Sequence, residues 1–420
     1  MSESPTTSTS TPATEVAADL ADERLITTKG FGGYLISQLN RLRSGNLGNL
    51  PVVLGLVIIC LGFYLQNARF LSSRNLVSIT QFAAPIGIIA LGIVLVLLLG
   101  EIDLSVGAVS GLCASVMAVL SVRHGWSPYL AIAGAIAVGA AIGTFQGSVF
   151  TQFGIPSFVV TLAGLLGWQG AQLEVLGTTG TINLTDPTIT GLTSTFYDGP
   201  VGWAVAIAGF AVYAAVSLAG WRRKVAAGLR VQPLGALLAR LVLAGAAIVA
   251  AVAVLNQDRG VPLAALILVG FVILFQFVTT KTSFGRHIFA VGGNSEAARR
   301  AGIGVKRIRI VVFAIASSMA AIGGIMAASR LLAVNQSSGS GDFLLLAIAG
   351  PVIAGTSLFG GRGSVWTALL GALVIGSISN GMDLLALESS VKFMVTGAVL
   401  LIAVIIDALA RRRRQASGRV

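Results

Sequence analysis

The sequence predicts an all-α fold: a polytopic transmembrane helix bundle of about twelve spans with both termini cytoplasmic. Three observations carry that expectation. Of its 420 residues 55% are hydrophobic and only 10% charged, with a mean hydropathy of +0.89, against about 25% charged in a soluble chain, so lipid must solvate most of the surface. Apolar runs recur at roughly the 20-residue length that crosses a hydrocarbon core about 30 Å thick. The Lys and Arg residues cluster in the segments that the parity of the spans places inside, notably Arg222 to Lys224, Lys281 to Arg309 and Arg411 to Arg414. Only Arg69, Arg74, Arg123, Arg259, Arg330 and Lys392 are left outside.

In order, the elements begin with a region of 46 residues, rich near its start in Ser, Thr, Pro and Ala, that predicts a disordered cytoplasmic tail. No apolar core with a basic flank occurs there, so the first span itself is expected to enter the membrane. The transmembrane block 47–410 then holds twelve runs: Leu47 to Leu65, Leu76 to Leu99, Leu104 to Val122, Pro128 to Phe150, Pro156 to Leu176, Val201 to Gly220, Pro233 to Leu255, Val261 to Thr280, Ile310 to Ser329, Phe343 to Phe359, Ser364 to Leu385 and Val391 to Ala410. A basic tail, 411–420, closes the chain. No run alternates as a barrel strand would. Glycine is abundant, 52 residues. Gly139, Gly143 and Gly147 repeat on one helix face, and Gly164, Gly167 and Gly170 do something similar on the next span; small residues of this kind let helix backbones approach closely in lipid. A faint internal similarity links Gly100 to Gly111 with Gly361 to Gly371.

Composition and motifs exclude several functions. A soluble enzyme, a disulfide scaffold and a collagen are ruled out, and Cys60 and Cys113 lie inside apolar runs as small hydrophobes. The net charge of +12 sits between apolar runs, where it reports topology and attraction to an anionic leaflet, not a nucleic-acid partner. No G-x-x-x-x-G-K-[ST] is present to cradle a nucleotide. His124 and His287 stand alone, so no metal site is expected, and no cofactor or catalytic constellation can be assembled. Glu101, Asp103, Glu174, Asp383 and Asp407 all fall at or near span ends, where water or headgroups solvate them; an ion-coupled transporter using Glu101 and Asp103 is the competing reading.

The most informative stretch is the cytosolic loop 281–309. Gly292 and Gly293 break the chain, Asn294 or Ser295 can cap a new helix, Glu296 places a negative charge in its first turn, Arg299 and Arg300 complement its far end, and Gly302 can take the left-handed conformation that stops it. The result is a helix of about seven residues, too short to stand alone in water and in need of a docking surface. The small pair Ala297 and Ala298 leaves room for another protein; the alternative is a connector resting on the leaflet.

That loop, G-G-N-S-E-A-A-R-R-A-G-I preceded by T-S-F-G-R-H-I-F-A-V, resembles the cytoplasmic coupling segment of the sugar-importing ABC permeases of the ribose and xylose type. Gly100 to Gly107 (GEIDLSVG), Gly154 to Gly164 (GIPSFVVTLAG) and Ala354 to Leu385 match the same family in the same order, and the resemblance covers roughly Gly48 to Ala410. The extra pair of spans between Val201 and Leu255 is similar to the xylose branch. The chain departs from the family at Glu101, where a glycine is usual, at Leu344 and Leu346, where acids are usual, and at Trp366. The resemblance implies a multi-pass plasma (inner) membrane subunit that dimerises. It also implies a coupling segment of Asn294, Ser295, Glu296, Ala297, Ala298, Arg299 and Gly302 handed to a separate ABC ATPase, and a neutral sugar received from an extracytoplasmic binding protein. An uncharged pathway for such a substrate makes Trp168, Gln169, Gln172 and Asn183 its candidate lining, against the plainer reading of an interfacial aromatic and helix-end polar residues.

Overall fold

The computed structural model describes residues 50–416 except position 230, and the expected N-terminal tail lies outside them. Fifteen α-helices dominate. They are α1 (Leu50–Gln66), α2 (Ser73–Leu98), α3 (Val106–Ala118, prolonged by a π turn, Val119–Arg123), α4 (Pro128–Phe153), α5 (Ser157–Leu176), α6 (Pro187–Ser194), α7 (Gly199–Ala226) and α8 (Leu234–Leu255). There follow α9 (Leu263–Lys281), α10 (Ser283–Gly293), α11 (Ser295–Arg300), α12 (Val305–Leu331), α13 (Gly341–Ile353), α14 (Trp366–Leu384) and α15 (Ser389–Ala416). Two antiparallel ribbons complete the fold: β1 (Thr181–Asn183) on β4 (Ala333–Asn335), with Ile182 opposite Val334, and β2 (Phe196–Tyr197) on β3 (Val261–Pro262).

Nine described helices are long and apolar enough to cross a membrane. The expected span Phe343 to Phe359 is different. Its helix stops at Ile353 after 13 residues, about 20 Å at 1.5 Å per residue, because Pro351 enters its last turn and Gly355 turns the chain with φ +98°. The regular part of α3 is equally short, 13 residues, and is reached through the irregular segment Glu101 to Ser105.

The core sits on α2 and α12. Every residue of α2 from Ala83 to Leu98 is buried, as expected of a helix that is apolar all round. Gly92 of α2 lies against the Ala316 backbone of α12, where a Cβ would be 2.8 Å from Ala316 Cα. The outer faces of α1, α5 and α9 expose Leu54, Ile58, Leu166, Ile273 and Phe277, a surface that only lipid can solvate.

Two runs of four helices, α2 to α5 and α12 to α15, correspond. Each opens with a long helix, passes through an irregular segment into a 13-residue helix, and continues through two more. Their packing partners correspond too: α4 packs on α12 as α14 packs on α2, and α3 lies on α4, α5 and α12 as α13 lies on α14, α15 and α2. Internal duplication of this kind is common in transporters. It does not follow the similarity between Gly100 to Gly111 and Gly361 to Gly371; the chain at the start of each stretch instead meets, Gly100 against Gly360 and Gly361 against Leu98.

Residues 207–249, the second part of α7 and the first part of α8, form a unit of their own. Within it the Phe210 ring covers Gly245 at 3.1 Å from a notional Cβ, the Trp221 indole donates to the Gln232 carbonyl at 3.0 Å, and Arg240 lies over the Tyr213 ring.

Candidate coupling segment and pathway residues

The loop after α9 folds as two helices, not one. Thr282 caps α10 by accepting the Gly285 N–H at 3.2 Å, and Gly285, Ile288 and Val291 form its buried face. Sequence reasoning missed this helix, although a buried residue every third position is its signal. Asn294 then caps α11, accepting the Ala297 N–H at 2.9 Å. The helix has six residues, one fewer than expected. It ends in a Schellman turn: Gly302, at φ +82°, donates to the Arg299 carbonyl, and Ile303 donates to the Ala298 carbonyl, both at 3.0 Å.

Glu296 pairs with Arg299 at 2.9 Å and with Arg300 at 3.2 Å, all three exposed. The hydrogen bonds from Arg299 and Arg300 hold the Glu296 carboxyl below the usual carboxylate range. Asn294, Ala297 and Gly302 are exposed and Ser295 is half-buried. Ala298 is different from the expectation. It is buried in the chain's own core with Ile308 and Val312, because the face of α11 that carries it rests on α12. The outward surface of α11 is therefore the charged trio with Ala297.

Behind α11 three of the sequence motifs converge on bare backbone. Gly292 abuts the Leu98 carbonyl at the end of α2, and that carbonyl accepts the Gly361 N–H at 2.9 Å. Gly360, at φ +82°, lies over Gly100, where a Cβ would meet Gly100 Cα at 2.8 Å. Side chains at these positions would push the three segments apart. The end of α10, the end of α2 and the loop between α13 and α14 are thus one junction.

From this junction the segment Glu101 to Ser105 leads into α3. Glu101 is not solvated as an isolated span-end acid: it pairs with Arg309 of α12 at 2.9 Å, the two side chains 14% and 28% exposed. Asp103, 4% exposed, is the clearer correction, since it is buried and not solvated. Its Oδ1 accepts the Ser105 N–H at 2.8 Å and lies 2.7 Å from Ser105 Oγ, which is also 3.1 Å from Gln146 Oε1 of α4. Ile102 and Leu104 donate their N–H groups to Ser157 Oγ at 3.3 Å and Thr161 Oγ1 at 3.1 Å, both on α5. Glu174 is exposed, Asp383 pairs with Lys392, and the Asp407 side chain lies outside the described residues.

The four pathway candidates separate. Trp168 is half-buried, its ring edge-on to Phe145 with centroids 6.2 Å apart. Gln169 is exposed on the apolar α5. Gln172 is buried and donates to the Asn335 and Ser338 carbonyls, each at 3.0 Å; it ties α5 to the turn after β4. Asn183 is exposed on β1, and the neighbouring cup formed by Thr178 to Thr181 with Asn335 to Ser337 is polar. Sequence reasoning missed Gln146. Its signal was an amide on the glycine-faced side of α4, between Gly143 and Gly147, where lipid would not tolerate it. Among the described residues no group of three His, Cys, Asp or Glu could hold a metal ion.

Comparison with known proteins agrees with this architecture. Residues 75–404 match the family of branched-chain amino acid transport system / permease components. The chain is 36% identical over 388 residues to the xylose transport system permease protein XylH of Escherichia coli, covering 92% of this chain and 96% of that protein. It is 34% identical over 370 residues to the XylH of Haemophilus influenzae (87% and 98%) and 31% identical over 363 residues to the ribose import permease protein RbsC of Bacillus subtilis (86% and 94%). No solved structure matches.

Proposed function

The chain belongs to this family of transport-system permeases, multi-pass membrane proteins, and from that premise we propose that it is the membrane-spanning subunit of an ATP-driven importer for a neutral monosaccharide, a pentose such as xylose or a related sugar. The observation that carries the substrate class is the 36% identity to a xylose permease along 92% of the chain. ATP hydrolysis belongs to a separate ATPase subunit, and an extracytoplasmic binding protein delivers the sugar. Both termini and α10 to α11 face the cytoplasm, and the chain crosses the membrane about twelve times, counting α13 with its following loop as one incomplete crossing. The domain order is a tail to residue 46, the permease block 47–410 with its coupling loop 281–309, and a basic end. The helix α15 runs on through Arg411 to Arg414.

In this reading Asn294, Ser295, Glu296, Ala297, Arg299 and Gly302 present the coupling surface, and Ala298 seats it on α12. ATP closes two ATPase subunits and draws the two α11 prongs together. The glycine junction transmits that movement to α2 and to both half-length helices, because segments in backbone contact cannot shift independently. The permease acts as a homodimer. Gly167 and Gly170 of α5 have nothing within 4 Å, and Gln169 beside them is exposed; an amide on an apolar helix is better matched by a second copy or a wet pathway than by hydrocarbon. Trp168, Gln169 and Asn183 line that pathway, with Gln172 bracing it. An ion-coupled mechanism through Glu101 has no support, since Arg309 already neutralises that acid.

The test is uptake of radiolabelled D-xylose and D-ribose into proteoliposomes that hold the permease, its ATPase and its binding protein. ATP-dependent uptake, abolished by vanadate and indifferent to an uncoupler, is expected; uptake driven by an ion gradient without ATP would overturn the proposal. Glu296→Lys, which frees two arginines and reverses the central charge, should lower uptake at least about tenfold while membrane insertion is retained.

A further inference from the structure

Among the eight buried side-chain polar atoms of the described residues that lack a hydrogen-bond partner, three fall together: Asp103 Oδ2, Gln146 Nε2 and Trp168 Nε1. Asp103 and Gln146 are 4% and 1% exposed, and buried polar groups are almost always paired, so three orphans in one neighbourhood call for an explanation. They are neighbours through two observations. Ser105 Oγ bridges Asp103 Oδ1 and Gln146 Oε1 at 2.7 and 3.1 Å. Gly164 of α5 is a bare position over which the other two nitrogens close: a Cβ there would collide with Gln146 Nε2 and lie 3.0 Å from Trp168 Nε1. Asp103 also lines a cavity of about 160 Å³ with Ile93, Ile102, Leu104, Ile348 and Leu358.

We propose that Asp103, Gln146 and Trp168 form a hydroxyl-binding subsite for the transported sugar, an assignment that rests on the importer reading above. The chemistry fits a neutral polyol. Each sugar hydroxyl both donates and accepts; Asp103 Oδ2 supplies an acceptor, Trp168 a donor, and whichever way the Gln146 amide is turned, one of its polar atoms remains for the ligand. The indole ring, held edge-on by Phe145, supplies an apolar face for the C–H side of the sugar. A metal ion is a poor occupant, since hard cations take six or more oxygens and no cluster of three ligating side chains is present among the described residues. Ser105 has a positioning role: by holding Asp103 Oδ1 it leaves Oδ2 for the substrate.

The subsite also lies where the coupling movement reaches it. Asp103 is three residues beyond Gly100, which the Gly360 backbone touches in the junction with Gly292. Gln146 and Trp168 stand on α4 and α5, outside that junction. A shift of the junction therefore changes the separation of the acceptor from its two partners, and so the affinity for the sugar.

The experiment uses the assembled importer in proteoliposomes and measures kcat/KM for D-xylose, D-ribose and a deoxypentose analogue of each. Asp103→Asn keeps the Ser105 contact while replacing Oδ2 by a donor, and Trp168→Phe removes only the indole N–H and part of the ring. Each should lower kcat/KM for the preferred sugar about tenfold, and at least one deoxy analogue should be spared, so that discrimination against it shrinks. Unaltered kcat/KM in both variants, or an equal loss for sugar and deoxy analogues in both, would overturn the subsite. An Asp103→Asn protein that fails to assemble with the ATPase leaves Trp168→Phe to decide by the same two outcomes. If the unmutated importer takes up no sugar, the importer reading itself falls and takes the subsite with it, whereas sugar uptake by the native protein with indifferent variants removes the subsite alone.

Discussion

The neighbouring helices α4 and α5 carry similar glycine spacings and meet quite different surroundings. On α4, Gly143 abuts the Phe313 carbonyl of α12, a Cβ at Gly139 would lie 2.7 Å from the Ser317 carbonyl oxygen, and one at Gly147 would lie 2.9 Å from Ile310 Cα. On α5 only Gly164 is covered, by Gln146 and Trp168, while Gly167 and Gly170 face open space. One glycine face is consumed in packing the chain on itself. The other has nothing of the described chain against it. A small-residue stripe thus says that something approaches closely without saying what does.

The largest effect that would sharpen this contrast is expected from Gly143→Ala. Its methyl has nowhere to go but into the α12 backbone, so overpacking should cost about 1–3 kcal/mol, read as a lower unfolding temperature of the detergent-solubilised protein. Gln172→Ala comes next. It leaves the Ser338 carbonyl without its donor and the Asn335 carbonyl with only the Ser338 N–H, a loss of about 1–2 kcal/mol, and should loosen the turn after β4, seen as faster amide exchange there. Gly167→Ala should be the smallest, neutral or stabilising by up to about 1 kcal/mol in the isolated chain, while reducing the dimer fraction in cross-linking. A Gly167→Ala protein that unfolds as readily as Gly143→Ala would erase the distinction between the two helices.

Much of the candidate coupling segment was legible because its determinants are local. A capping side chain, an acid in the first turn, basic residues in the last and a left-handed glycine act within one or two turns of backbone, and Asn294, Glu296, Arg299 and Gly302 do what their spacing indicates. Ala298 was misread because nothing in a six-residue helix tells which side rests on α12. Asp103 was misread for a related reason. Hydropathy sees it at the edge of an apolar run, whereas the irregular approach to the half-length α3 carries it inside, against α4 and α5. Gln172 was read as a candidate lining of the pathway, and its hydrogen-bond partners are 163 and 166 residues away, where no local pattern names them.

The amino-acid order by itself determined a helical membrane protein, the approximate position of nearly every span, and the capped prong between α10 and α12, since hydrophobic length, charge placement and helix capping depend only on near neighbours in the chain. Tertiary structure alone decided that the helix begun before Phe343 stops at Ile353, that four glycines from three distant motifs close into one junction, and that an acid, an amide and an indole from α3's approach, α4 and α5 come into one neighbourhood. Those outcomes depend on which backbones can touch, and contact between remote segments is fixed by the packing of the whole bundle.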